Sequence, residues 1–308
     1  LNIKDEKETF VIIIGESTTR THMGLYGYHR KTTPLLSKRK DSFFAFKNVR
    51  APHTHTITSL TSTLTMFEYD DEPSKRYNST LVQLFNGAGF NTYFISNQKP
   101  IGKYESTMTL ISKTSDKSIF TNVSVKTHDE EVLKPFKQIL NKEANKKFIM
   151  IHLMGSHAHY ASRYPADYNV FKEKPLTQFD DEIAHKMINE YDNAILYNDY
   201  IVSSIMDELQ NDSSKSYLLY FSDHGEDVFE TINEACHEET IGSEPMYKIP
   251  LILWCSDSYL ADRQKWTLDI ERKYNNENFI HTVADLSQIK FHRFDSSKSI
   301  INPDFSPQ

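Results

Sequence analysis

Two cysteines, Cys236 and Cys255, in 308 residues are too few to build a disulfide framework. Their number leaves open whether they are bonded to each other or stand as two inert thiols. Long apolar runs are also missing. The longest, FVIII (10–14) and FIMIHLM (148–154), fall far short of the roughly 18 residues that a membrane-crossing helix needs. Positive charge is not in excess: 35 Lys and Arg against 42 Asp and Glu leave a net charge of -7, which offers nucleic acid no electrostatic footprint. No internal repeat or interdomain linker divides the chain, so 1–308 reads as a single domain. The opening LNIKDEKETF carries neither an initiator Met nor a signal-peptide pattern and reads as the start of a fragment.

What is there supports a real core, since 38% of the residues are hydrophobic. Four segments share one pattern, a short apolar run ending in polar, chemically capable residues: FVIIIGEST (10–18), GFNTYFISNQK (89–99), KFIMIHLMGSHAH (147–159) and SYLLYFSDHGE (216–226). Continuous runs rich in Ile, Val, Phe and Tyr suit strands buried on both faces. Helices are predicted between them, at NSTLVQLFNGAG, with a Ser/Thr cap, and at YDNAILYNDYIVSSIMDELQ, where Ile195, Ile201, Ile205 and Leu209 keep helical spacing. KIPLILWC (248–255) and, more weakly, SFFAFKNV (42–49) read as further strands. The segment 67–79 reads as a charged surface loop, and the tail DSSKSIINPDFSPQ as a polar periphery. Strands alternating with helices predict an α/β fold with a mixed, mostly parallel central sheet and helices on both faces. In such sheets ligands bind beyond the carboxyl ends of the strands, where Glu16, Asn97, His157, Asp223 and His224 fall.

SDHGE after a buried strand supplies two carboxylates and an imidazole on one turn, which Gly225 lets bend sharply. With Glu16 from the turn after the first strand, the donor set suits zinc better than magnesium or manganese. A metal also gives meaning to TITSLTSTLT. Eight of the twelve residues from Thr54 to Thr65 carry a hydroxyl, and most are expected to cap helices or bond to nearby backbone. A Thr hydroxyl is a poor nucleophile at neutral pH unless a metal favours its ionised form, and a helix start attracts the anion it would attack.

FVIIIGESTTRTHMGLYGYHRKTTPLL, FKNVRAPHTHTITSL, MGSHAHYASRYP, YDNAILYNDYIV and YFSDHGE together resemble the periplasmic domain of bacterial phosphoethanolamine transferases, within the alkaline phosphatase and sulfatase superfamily. The resemblance implies a zinc-dependent catalytic domain in the periplasm, tied to the inner membrane by an N-terminal transmembrane domain upstream of this chain. It implies transfer of phosphoethanolamine from phosphatidylethanolamine to a catalytic Thr, then to an envelope acceptor such as lipid A or lipooligosaccharide. Carried over by motif, the zinc ligands are Glu16, Asp223, His224 and Thr56. Thr56, eight residues after Asn48, is also the nucleophile. His157 and His237 resemble histidines that touch the substrate phosphate or a second zinc. Glu226 would face that same region as a substrate-binding residue, and Asn97, Lys99 and Lys103 could hold the donor's headgroup or phosphate.

The resemblance has departures. Lipid A-modifying members carry several disulfides, including a Cys-Gly pair where this chain has Pro52-His53, so a different acceptor remains open. His53 and His55 match no ligand of the family. The alternatives are a phosphodiesterase or phosphatase of the same superfamily, or a sulfatase. A sulfatase needs Cys or Ser in a C/S-x-P-x-R frame, and the nearest string, SEPMY at 243–247, lacks the Arg.

Overall fold

The computed structural model describes residues 7–66, 80–100, 107–123, 127–263 and 268–307. Its strands are β1 (Glu8–Gly15), β2 (Phe43–Phe46), β3 (Asn48–Arg50), β4 (Asn91–Ser96), β5 (Lys117–Phe120), β6 (Lys146–His152), β7 (Lys215–Ser222), β8 (Asp227–Val228), β9 (Ala235–Cys236), β10 (Leu251–Cys255) and β11 (Lys273–Asn275). The helices are α1 (Pro34–Lys38), α2 (Thr56–Leu64), α3 (Leu81–Gly87), α4 (Thr107–Thr114), α5 (Leu133–Leu140), α6 (Glu182–Gln210), α7 (Glu244–Tyr247), α8 (Asp257–Ala261) and α9 (Phe279–Leu286). Among the described residues no helix is long and apolar enough to cross a membrane.

Seven strands form one sheet in the order β2-β10-β7-β1-β6-β4-β5. β7, β1, β6, β4 and β5 pair in parallel, while β10 runs antiparallel to both β7 and β2. The predicted mixed, mostly parallel sheet is therefore the observed one. Its strands alternate between two cores. Val11, Ile13, Ile149, Ile151, Leu218 and Tyr220 face α5 and α6. Phe10, Ile12, Ile14, Met150, Leu219 and Phe221 face α2, α3 and α9. Burial on both faces is what a continuous apolar run allows and a solvated strand would not.

The structure revises several local expectations. SFFAFKNV is two strands in two sheets, because β2 pairs with β10 while β3 pairs with β11. The helix expected from Tyr191 begins at Glu182, where Asp181 caps it by accepting from the Ala184 amide; only Ala184 and Ile188 mark that first stretch as inward-facing. The Ser/Thr cap of the earlier helix is Thr80, in a reciprocal box with Gln83. The tail is not wholly peripheral, since Ser299, Ile300 and Ile301 are buried. The loop expected at 67–79 lies outside the described residues. Cys236 and Cys255 are separate thiols.

Candidate active site

The parallel strands end on one edge of the sheet, and the chemistry gathers there. Glu16 follows β1, Asp223 and His224 follow β7, and Thr56 opens α2 directly after its cap residue His55. The backbone is bent to deliver them. Ser17 takes φ 55°, and Gly155, at φ 53°, packs so tightly on Glu16 that a Cβ would lie 2.7 Å from the Glu16 amide nitrogen. Gly225 is required for a different reason from the one expected. It is not in the left-handed region; Pro245 and Met246 press on it, and a Cβ would fall 2.1 Å from the Pro245 carbonyl oxygen.

Thr56 Oγ1 donates to Glu16 Oε1 at 3.1 Å and lies 3.4 Å from His224 Nε2. His224 Nε2 is 3.3 Å from Glu16 Oε1 and 3.4 Å from Asp223 Oδ2. Ligand atoms about 3.3–3.5 Å apart are those of a tetrahedron around zinc at its usual bond lengths. Two further observations fit a cation. Asp223 Oδ1 accepts from the amides of Ser17 and His224, whereas its buried Oδ2 has no hydrogen-bond partner among the described residues. His224 Nδ1, 2.8 Å from the Gly225 carbonyl, is placed to donate there, which leaves Nε2 with the lone pair a metal needs.

Without a cation the three groups strain one another electrostatically. Burial and the charge of Glu16 push Asp223 up to about 7. Burial would lower His224, but Asp223 and Glu16 outweigh it and raise the imidazole to about 10. Burial would raise Glu16, yet the hydrogen bond and charge of His224, with His157 and His152, hold it well below the usual carboxylate range. Three buried groups shifted in opposite senses at one strand edge mark a candidate functional site.

A second group adjoins the first. His237 Nδ1 sits 2.9 Å from Glu226 Oε2, and the rings of His224 and His237 are 4.5 Å apart; with both His224 nitrogens already engaged, Glu226 and His237 are the groups left to touch a substrate beside the first cluster. His157 is exposed on the loop after β6 and close enough to act electrostatically on Glu16. His55 stands 5.6 Å from His237, ring to ring, and His53 Nδ1 pairs with Glu239 at 2.9 Å. Three other hydroxyls of this segment bond locally, Thr58 to the His55 carbonyl, Thr61 to that of Ile57 and Thr65 to that of Thr61, whereas Ser59 Oγ donates to the Asp223 carbonyl and ties α2 to the site.

Asn97 does not face a donor. It is fully buried, its Nδ2 donates to Asp129, and its Oδ1 accepts from Thr121 and Thr127, so its polar groups are already spent on the scaffold. Its neighbour Gln98 is the residue that reaches the centre, donating 3.0 Å to Glu16 Oε2 and 3.0 Å to the Leu153 carbonyl. His152, hidden inside the apolar run FIMIHLM, was also missed; it is buried at the carboxyl end of β6, and burial lowers its imidazole to about 4. Lys103 lies outside the described residues, and Lys99 is exposed.

A family model described as sulfatase matches residues 8–289. The phosphoethanolamine transferase EptC of Escherichia coli strain K12 is 34% identical over 99% of this chain and 56% of its own length. Phosphoethanolamine transferase CptA of Salmonella typhimurium strain LT2 is 36% identical over 98% of this chain and 54% of its own. The chain thus spans about half the length of these curated relatives. A crystal structure of the C-terminal periplasmic domain of EptC from Escherichia coli, in complex with zinc, superposes with a TM-score of 0.93 at 34% identity, covering 98% of this chain and 88% of that one.

Proposed function

The chain belongs to the sulfatase family, and from that membership we propose that it is the catalytic domain of a zinc-dependent phosphoethanolamine transferase, working in the periplasm on a lipid donor and an envelope acceptor. The observation that carries the reading is the meeting of one hydroxyl, Thr56 Oγ1, with Glu16 and His224 beside Asp223 Oδ2, which has no hydrogen bond among the described residues. Glu16, Thr56, Asp223 and His224 would hold the zinc. Bound there, it supplies Lewis acidity that favours the ionised Thr56 and neutralises phosphoryl charge.

The residues then divide the work of a ping-pong reaction. Thr56 Oγ1 forms a bond to the donor phosphorus while the phosphorus–oxygen bond to diacylglycerol breaks; the departing oxygen keeps the electron pair and takes a proton. An acceptor oxygen, on lipid A, lipooligosaccharide or another envelope glycolipid, next attacks the phosphothreonine and restores Thr56. Glu226 fixes His237 through Nδ1, which leaves Nε2 to take the acceptor's proton; the exposed His157 is the other candidate base. The amides of the first turn of α2 add positive potential where the phosphoryl group must sit.

Thr56→Ala tests this directly. Transfer from phosphatidylethanolamine should fall about 10^3-fold or more, with the fold retained and zinc bound more weakly, while Thr56→Ser keeps part of the activity. Full activity in Thr56→Ala would refute the assignment. Measuring transferred product against ethanolamine phosphate released to water separates a transferase from a phosphodiesterase on the same fold.

A further inference from the structure

A cavity of about 300 Å³ opens beside the nucleophile, lined by Thr56 and Ile57 at its mouth and by Leu60, Phe94, Met108 and Phe120 within. We propose that this cavity is the donor's glyceride subsite, receiving the glycerol backbone and the first carbons of its acyl esters. The inference rests on the phosphoethanolamine transferase reading and adds to it the direction in which the lipid lies.

Four observations point the same way. Most of the wall surface is apolar, with Leu60 and Phe94 buried in it, while Ser96, Gln98, Thr109 and Ser112 add neutral polar groups, so an uncharged and partly hydrophobic group is what the space rewards. Ile57, the residue after the nucleophile, is 58% exposed, an apolar side chain left uncovered on the first turn of a helix whose other face packs in the core. No Asp or Glu lines the cavity among the described residues, whereas Lys99 and Lys113 do. Glu16 and Asp223 are committed to the proposed zinc and Glu226 pairs with His237, so the donor's ammonium finds no counter-charge in this lining and its neutral end fits. His152, 2% exposed, also lines the cavity, and its Nε2 has no hydrogen-bond partner among the described residues. An ester or glycerol oxygen is the chemistry that would pair with a buried imidazole in a mostly apolar wall.

The volume sets a limit as well. Ligand pockets run from about 300 Å³ upward, so this one holds a glyceride core and a few methylenes while longer chains continue past Ile57. On transfer, the bond from Thr56 Oγ1 to phosphorus forms as the phosphorus–oxygen bond breaks. The glyceride oxygen keeps that pair, takes up the proton that Thr56 gave away, and leaves as diacylglycerol within the cavity.

The test is binding of 1,2-dihexanoylglycerol to the zinc-loaded domain by calorimetry, set beside kcat/KM for dihexanoyl-phosphatidylethanolamine and for glycerophosphoethanolamine. Dihexanoylglycerol should bind, and both Met108→Trp, which fills the cavity, and Ile57→Gln, at an exposed position safe for folding, should weaken it at least tenfold. The same variants should cut kcat/KM for the acylated donor at least tenfold more than for the deacylated one. His152→Gln, which keeps an N–H donor, should hold binding within threefold, whereas His152→Leu should not. Absence of dihexanoylglycerol binding, or binding that neither Met108→Trp nor Ile57→Gln weakens, would overturn the subsite. Intact binding with no phosphoethanolamine ever reaching Thr56 would uphold the subsite and overturn the transferase reading instead.

Discussion

Asp223 divides its two oxygens between scaffold and chemistry: Oδ1 is held by two backbone amides, and buried Oδ2 has no hydrogen bond among the described residues and faces His224 Nε2 at 3.4 Å. The cost of that arrangement appears in protonation. At neutral pH His224, raised to about 10, carries a proton, and Asp223, raised to about 7, is half-protonated. A cation requires His224 neutral and Asp223 ionised, so it must displace between one and two protons. Zinc affinity should therefore rise with pH, about tenfold per unit above pH 7 and more steeply below it. Titrating zinc into the apo domain in buffers of different ionisation enthalpy measures the protons released. An affinity flat between pH 6 and 8 would rule out this cluster as the site. Glu16, Thr56, Asp223 and His224 were legible in the sequence because each stands at the polar end of an apolar run or within a motif. Gln98 was not, since a neutral amide beside Asn97 carries no chemical signal, and the inward turn at the end of β4 gave the structural task to Asn97 and the reach to Gln98.

At the scale of elements, the strands that carry these residues are apolar on both faces, so hydrophobic alternation alone does not fix their register. A one-residue slip of β1 would still bury Phe10 to Ile14. The polar ends prevent it: the Ser17 amide donates to Asp223, the Thr18 amide to Ser222, and the Ser156 amide to the Glu16 carbonyl. The site thus helps to align the sheet that presents it. Gly225 belongs to the same joint, donating its amide to the Met246 carbonyl at 2.7 Å under the α7 turn. Gly225→Ala should cost about 1–3 kcal/mol from this clash and displace His224 with it, read as a lower denaturant midpoint together with weaker zinc binding. Unchanged stability would contradict the close approach. Strand runs were readable from their Ile, Val and Phe content; the split of SFFAFKNV between two sheets was not, because pairing partners 200 residues away decide it.

For the whole molecule, five parallel strands bring one edge of the sheet to a single point, and sequence positions 16, 56, 98, 152 and 223 meet there. That edge has two sides. The Glu226 and His237 pair suits an incoming acceptor, and the apolar cavity beside α2 suits a departing glyceride. The mixed sheet, and the meeting of Glu16, Thr56, Asp223 and His224 at its edge, were foreseeable from motif order along the chain. The cavity was not, because its walls are ordinary core residues from α2, β4, α4 and β5 whose spacing says nothing about the space between them. The measurement closest to the central claim is peptide mass spectrometry over residues 51–66 after the zinc-loaded domain meets phosphatidylethanolamine. The account predicts a phosphoethanolamine adduct on Thr56 that disappears when an acceptor is added. An unmodified peptide, with ethanolamine phosphate accumulating in solution, would contradict it.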